Sequence, residues 1–92
     1  MIQSFADKTT ENIFHGIHTH SIHKDFQTSL LVTAERKLDI LNSAQTLDEL
    51  IQIPSMKAVR DAHGKYSVPI DDQWRICFRW NDAPEDVEMK NF

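Results

Sequence analysis

The sequence predicts an α+β domain, with N-terminal helices packed on one face of a small, mainly antiparallel sheet. Three observations carry this reading. From Lys24 to Asn42, apolar residues recur every three or four positions. After Pro54 the period falls to two. Between Trp74 and Trp80 the alternation is strict: Trp74, Ile76, Phe78 and Trp80 stand against Arg75, Cys77 and Arg79. The first pattern is one face of a helix. The others belong to strands with one face in a core and one face open and cationic.

The elements follow in order. Ile2 to Phe5 is a candidate first strand. Asp7 can cap a helix running to about His15, and Gly16 is a natural stop. His18 to His23 is polar and reads as a connector. The long helix from Lys24 to Asn42 sets Phe26, Leu30, Ala34, Leu38 and Leu41 on one face. Thr46 and Glu49 have capping-box spacing, which places a short helix over Leu47 to Ile51, and Pro54 closes it. Ala58 to Asp61 reads as a strand and Ala62-His63-Gly64 as a turn. Tyr66, Val68 and Ile70 share a face of the next strand. Pro69 has no amide donor, so no neighbouring strand should need one there. Asp71 to Gln73 turns the chain into Trp74–Trp80, and Asn81 to Pro84 turns it again. Val87 and Met89 alternate with Glu88 and Lys90 in a last strand.

Ninety-two residues, 1–92, make one domain with a small core. No apolar run approaches the roughly 20 residues of a membrane span, and no basic-then-apolar leader is present, so no membrane role is expected. Cys77, the single cysteine, excludes an internal disulfide and suits a reducing cytoplasm. The formal net charge of −4 argues against a general nucleic-acid binder. The charge is uneven, however. Lys57, Arg60, Lys65, Arg75 and Arg79 lie near the predicted sheet, whereas Asp39, Asp48, Glu49 and the Asp82–Glu88 group lie elsewhere. His15, His18, His20 and His23 match no zinc spacing, and no metal or cofactor is expected.

Several motifs resemble the HigB branch of the RelE-like bacterial toxins. They are Met-Ile-Gln-Ser-Phe at the start, Ala-Glu-Arg-Lys-Leu in the long helix, Met56-Lys57, Gly64-Lys-Tyr-Ser, the string Asp72-Gln-Trp-Arg-Ile-Cys-Phe-Arg-Trp, and the closing Asp86-Val-Glu-Met. The resemblance runs over nearly the whole chain. It implies a RelE-like α+β fold and a toxin that enters the ribosomal A site and cuts mRNA there. It also implies a HigA-like helix-turn-helix antitoxin, with operator DNA bound mainly through that antitoxin. The alternative is a weak or inactive homologue that serves as antitoxin partner and co-repressor.

RNA cleavage without a metal needs three things. A base must deprotonate the attacking 2′-hydroxyl, an acid must protonate the leaving oxygen, and charge growing on the phosphate must be stabilised. Arginine suits the last task, because its planar fork engages two phosphate oxygens at once. Arg75 is on the open face and matches the family's Trp-Arg motif, so the resemblance implies this role for it. Strand pattern alone favours a pairing with a neighbouring acid such as Glu88. Lys57 matches a family lysine before the sheet, where it would hold phosphate or aid proton transfer. Arg60, Lys65 and Arg79 are candidate substrate-binding cations. An imidazole can take up and release a proton, so His63 is a candidate for proton transfer; its structural alternative is a solvated turn residue. HigB-like toxins usually end in Asp-Tyr-His, residues of the active site. The matching positions here are Asn91 and Phe92, which have neither carboxylate nor phenol. Pro69 stands where many relatives have a basic residue.

Overall fold

A computed structural model describes residues 1–91; Phe92, and the role expected of it, lie outside the described residues. Helices α1 (Lys8–Phe14), α2 (His20–Asp25), α3 (Thr28–Ser43) and α4 (Leu47–Ile51) precede strands β1 (Val59–Arg60), β2 (Tyr66–Pro69), β3 (Trp74–Trp80) and β4 (Pro84–Asn91). The strands form an antiparallel meander in the order β1-β2-β3-β4. The α+β architecture is the one the sequence predicts.

Local chemistry sets most boundaries. Asp7 Oδ1 accepts from the Thr10 N–H at 2.6 Å and starts α1. Gly16 follows its end at φ +72°, in the left-handed region that glycine tolerates. Thr46 Oγ1 accepts from the Glu49 N–H at 3.0 Å and starts α4. The returning Glu49 carboxylate binds the N–H of Gln45 at 3.3 Å, one residue before the usual capping-box partner.

Three expectations are corrected. The His18–His23 stretch is not simply a connector, because α2 begins within it. Thr19 Oγ1 caps that helix by accepting the Ile22 N–H at 3.2 Å, and burial of Ile22 anchors the turn in the core. The long helix starts at Thr28, not Lys24. Phe26 leaves helical geometry (φ −130°, ψ 137°) to set its ring edge-on against Trp74, with centroids 5.0 Å apart. The fully buried stripe is therefore Leu31, Ala34, Leu38 and Leu41, with Leu31 in place of Leu30. The first strand shrinks to one parallel bridge between Phe5 and Val87.

That N-terminal stretch still matters, because β4 is an edge strand. The Gln3 N–H donates to the Pro84 carbonyl at 2.8 Å and the Ala6 N–H to the Val87 carbonyl at 2.9 Å. Further along, the Met89 N–H donates to Thr10 Oγ1 at 3.0 Å, and Thr10 is 1% exposed. Substituting Thr10→Val leaves that buried N–H without a partner. The expected cost is about 1–3 kcal/mol of unfolding free energy in urea titration, with Thr10→Ser retaining most of the stability. Equal midpoints for Thr10→Val and wild type would show that the hydroxyl is dispensable.

Val68, Ile76, Phe78, Val87 and Met89 line the inner face of the sheet and pack with Ile13, Leu38, Leu41, Leu50 and Met56. The helices thus cover one face of the sheet, and the other face stays open.

Candidate functional site

The pleat of β3 sends Arg75, Cys77 and Arg79 to the open face. Register then selects their neighbours. Arg75 lies between Pro69 on β2 and Lys90 on β4, and Cys77 lies between Ser67 and Glu88. A cleft of about 360 Å³ opens over these residues, lined by Ser67, Arg75, Cys77 and Lys90 together with Asp61, Lys65 and Tyr66.

Arg75 is held in place. Its Nε donates to Ser67 Oγ at 3.0 Å. Glu88, the acid the sequence offers as a partner for Arg75, instead faces Lys90, whose Nζ lies 3.3 Å from Glu88 Oε1. Among the described residues, no carboxylate lies within ion-pair distance of Arg75. Lys65, Arg75 and Lys90 therefore meet in one cleft of a chain whose formal charge is −4.

Two other cleft groups, Asp61 and Cys77, are poor acids and bases near neutrality. Asp61 accepts backbone N–H bonds from Lys65 at 2.9 Å and His63 at 2.8 Å. Those bonds hold its carboxyl below the usual carboxylate range, so it is a weak base. Burial pushes the Cys77 thiol up, which keeps it protonated and makes it a poor nucleophile. Cys77 is a small side chain filling the cleft floor.

Outside the residues that line the cleft, Lys57 precedes β1 with φ +47°. A lysine in left-handed backbone is held there at a cost of about 1–3 kcal/mol, typical of a residue placed by its surroundings. Lys37, on α3, donates through Nζ to the carbonyl of Pro69. Burial, then the charges of Lys57 and Arg75, keep the Lys37 pKa below the ordinary lysine value.

The sequence-predicted candidates are thus divided. Arg75 and Lys65 line the same cleft, and Lys57 acts electrostatically on the Lys37 beside it. Arg79 shares the open face farther along β3, 3.9 Å from Asp86. His63 is exposed in the β1–β2 turn and joins Arg79 and Lys65 around a second depression of about 280 Å³. His63 does not line the Arg75 cleft. Arg60 pairs with Tyr66, so its side chain starts from the face opposite Ser67 and Arg75. Asn91 pairs with Trp74, one step beyond the Arg75–Lys90 pair, and alternation turns its side chain to the opposite face as well.

Sequence reasoning missed Lys37, Asp61, Ser67 and Lys90 as site residues. Strand alternation puts Ser67 and Lys90 on the face of Arg75 and is a signal that could have found them. Lys37 lies in the Ala-Glu-Arg-Lys-Leu motif, but no local pattern shows that it reaches Pro69, a contact that spans 32 positions of sequence.

Chemically, the cleft is suited to an anion with several oxygens. It supplies one fixed guanidinium, two ammonium groups and the hydroxyl-bearing side chains of Ser67 and Tyr66, with the Asp61 carboxylate beside them. A family model described as RelE-like toxin of type II toxin-antitoxin system HigB matches residues 3–90. No curated protein matches the chain.

Proposed function

Because the chain belongs to the HigB-like family of RelE-like toxins from type II toxin–antitoxin systems, we propose that it is a ribosome-dependent mRNA endonuclease that inhibits translation and is neutralised by a HigA-like antitoxin. The observation that carries this reading is the guanidinium of Arg75. It is positioned by Ser67, has no ion-pair partner among the described residues, and shares an open cleft with Lys65 and Lys90. In the proposed reaction the 2′-hydroxyl of an A-site nucleotide gives up its proton and attacks the adjacent phosphate in line, forming a 2′,3′-cyclic phosphate, and the 5′-oxygen leaves and takes up a proton. Arg75 pairs the non-bridging oxygens as negative charge accumulates there. Lys57 holds the phosphate from the flank and assists proton transfer. Lys65 and Arg79 guide the flanking backbone, with His63 beside them. Arg60 and Asn91 start from the other face, which favours peripheral roles for them.

The ribosome resolves the charge problem. A chain with formal charge −4 has little general affinity for RNA, but a small basic cleft is enough when ribosome and mRNA supply the remaining contacts. For the same reason, operator binding is assigned to the helix-turn-helix antitoxin rather than to this chain.

The test adds purified protein to ribosomes programmed with a defined mRNA. The expected result is cleavage within the A-site codon, suppressed by the antitoxin. One observation favours a second reading: among the described residues, the Arg75 cleft contains no imidazole. A protein that forms the antitoxin complex yet cuts no programmed mRNA is then a non-cleaving partner and co-repressor.

A further inference from the structure

The cleft alone does not account for Lys37. This residue lies in the middle of α3, in the helical layer, yet its ammonium reaches the sheet and donates to the carbonyl of Pro69. That carbonyl is accessible because β1 pairs only with Tyr66 and Ser67, leaving the outer edge of β2 uncovered at Val68 and Pro69. Pro69 also brings no N–H to that edge. Pro69 is the register partner of Arg75, so the contact carries Lys37 to the flank of the cleft. Lys57 stands in the segment just before β1, in left-handed backbone. Lys57 and Arg75 both act on the charge of Lys37, an effect that falls off with distance. Among the described residues, none of the three cations has a carboxylate within ion-pair distance.

Converging like charges with no acid among them raise the energy of the folded state. Such arrangements cluster where a ligand brings the opposite charge. We propose that Lys37 completes, with Lys57 and Arg75, a phosphate-holding corner at the uncovered edge of β2, which takes a backbone phosphodiester of the RNA strand lying in the cleft. That the anion is RNA rests on the nuclease reading; that the corner binds phosphate does not. An antitoxin carboxylate is the rival occupant. It carries one charge against three cations, whereas an RNA strand brings a phosphate at every nucleotide and can engage corner and cleft together.

The test compares wild type with Lys37→Met and Lys37→Arg. Thermal unfolding is recorded in inorganic phosphate and in chloride at equal ionic strength, and A-site cleavage is followed over a range of ribosome concentrations. Phosphate is expected to raise the midpoint of wild type and Lys37→Arg by several degrees, and to leave that of Lys37→Met unchanged. Lys37→Met is also expected to raise the half-saturating ribosome concentration about tenfold with little change in maximal rate. Equal phosphate shifts in wild type and Lys37→Met, or no shift in wild type, overturn the corner. Loss of antitoxin affinity in Lys37→Met with wild-type cleavage overturns the RNA assignment. If wild type cuts nothing but shows a Lys37-dependent phosphate shift, the corner stands and the nuclease reading fails. Should Lys37→Met not fold, Lys37→Gln serves in the same comparison.

Discussion

Arg75→Ala is expected to reduce A-site cleavage about a hundred- to a thousandfold, the loss typical of one charge-stabilising donor, or about 2.7–4 kcal/mol of barrier. Growth inhibition on expression should disappear with it. The side chain lies on the open face and its one described hydrogen bond goes to Ser67, so the variant should fold and still bind its antitoxin. Arg75→Lys should recover only part of the rate, because an ammonium does not reproduce the two-pronged fork. Full toxicity of Arg75→Ala at equal expression would sink the assignment, whatever the ribosome does with the wild type. A variant that lost antitoxin binding as well would instead point to a folding defect.

Phe78→Ala should have the largest effect on stability. Phe78 is 1% exposed, at the centre of the inner face of the sheet, and its ring stacks on Tyr66 with centroids 6.0 Å apart. Removing a buried phenyl ring costs about 3–5 kcal/mol in lost transfer energy and residual cavity. A domain of this size holds only about 5–15 kcal/mol in total, so the variant should lose a large share of its stability and unfold at a much lower temperature. Chemical denaturation measures this directly: a midpoint within a few tenths of molar of wild type would show that Phe78 is not central. Phe78→Leu should lose much less, since it leaves a smaller void. Both variants leave the Arg75–Ser67 pair untouched, so any residual activity should scale with the folded fraction.

Much of the fold was legible because its signals are local. Capping is a property of a few adjacent residues, and Asp7 and Thr46 start their helices as their spacing predicts. Thr19 is a comparable signal in a stretch whose histidines made it look like a connector. The phase of the α3 stripe was harder. Leu30 and Leu31 are both apolar, and the start of the helix at Thr28, after Phe26 leaves to meet Trp74, decides which of them is buried.

The site was legible in part, for the same reason. Alternation alone puts Arg75 on the open face and Phe78 in the core, because pleating is intrinsic to any strand. Alternation cannot decide whether Arg75 is consumed by an ion pair. That depends on which acids cross-strand register brings near and what else competes for them: Glu88 lies opposite Cys77 and faces Lys90. The Lys37–Pro69 contact likewise depends on β1 being too short to cover β2 and on a long side chain from α3 reaching that edge.

By itself, then, the sequence determined the order of the elements, the two faces of the sheet and the place of the arginine at its open surface, since all three follow from periods and caps within short windows. Only the tertiary structure decided that Arg75 stands beside Ser67 rather than an acid, and that Lys37 joins its flank. Those outcomes depend on register and packing between residues far apart in the chain, which no local pattern encodes.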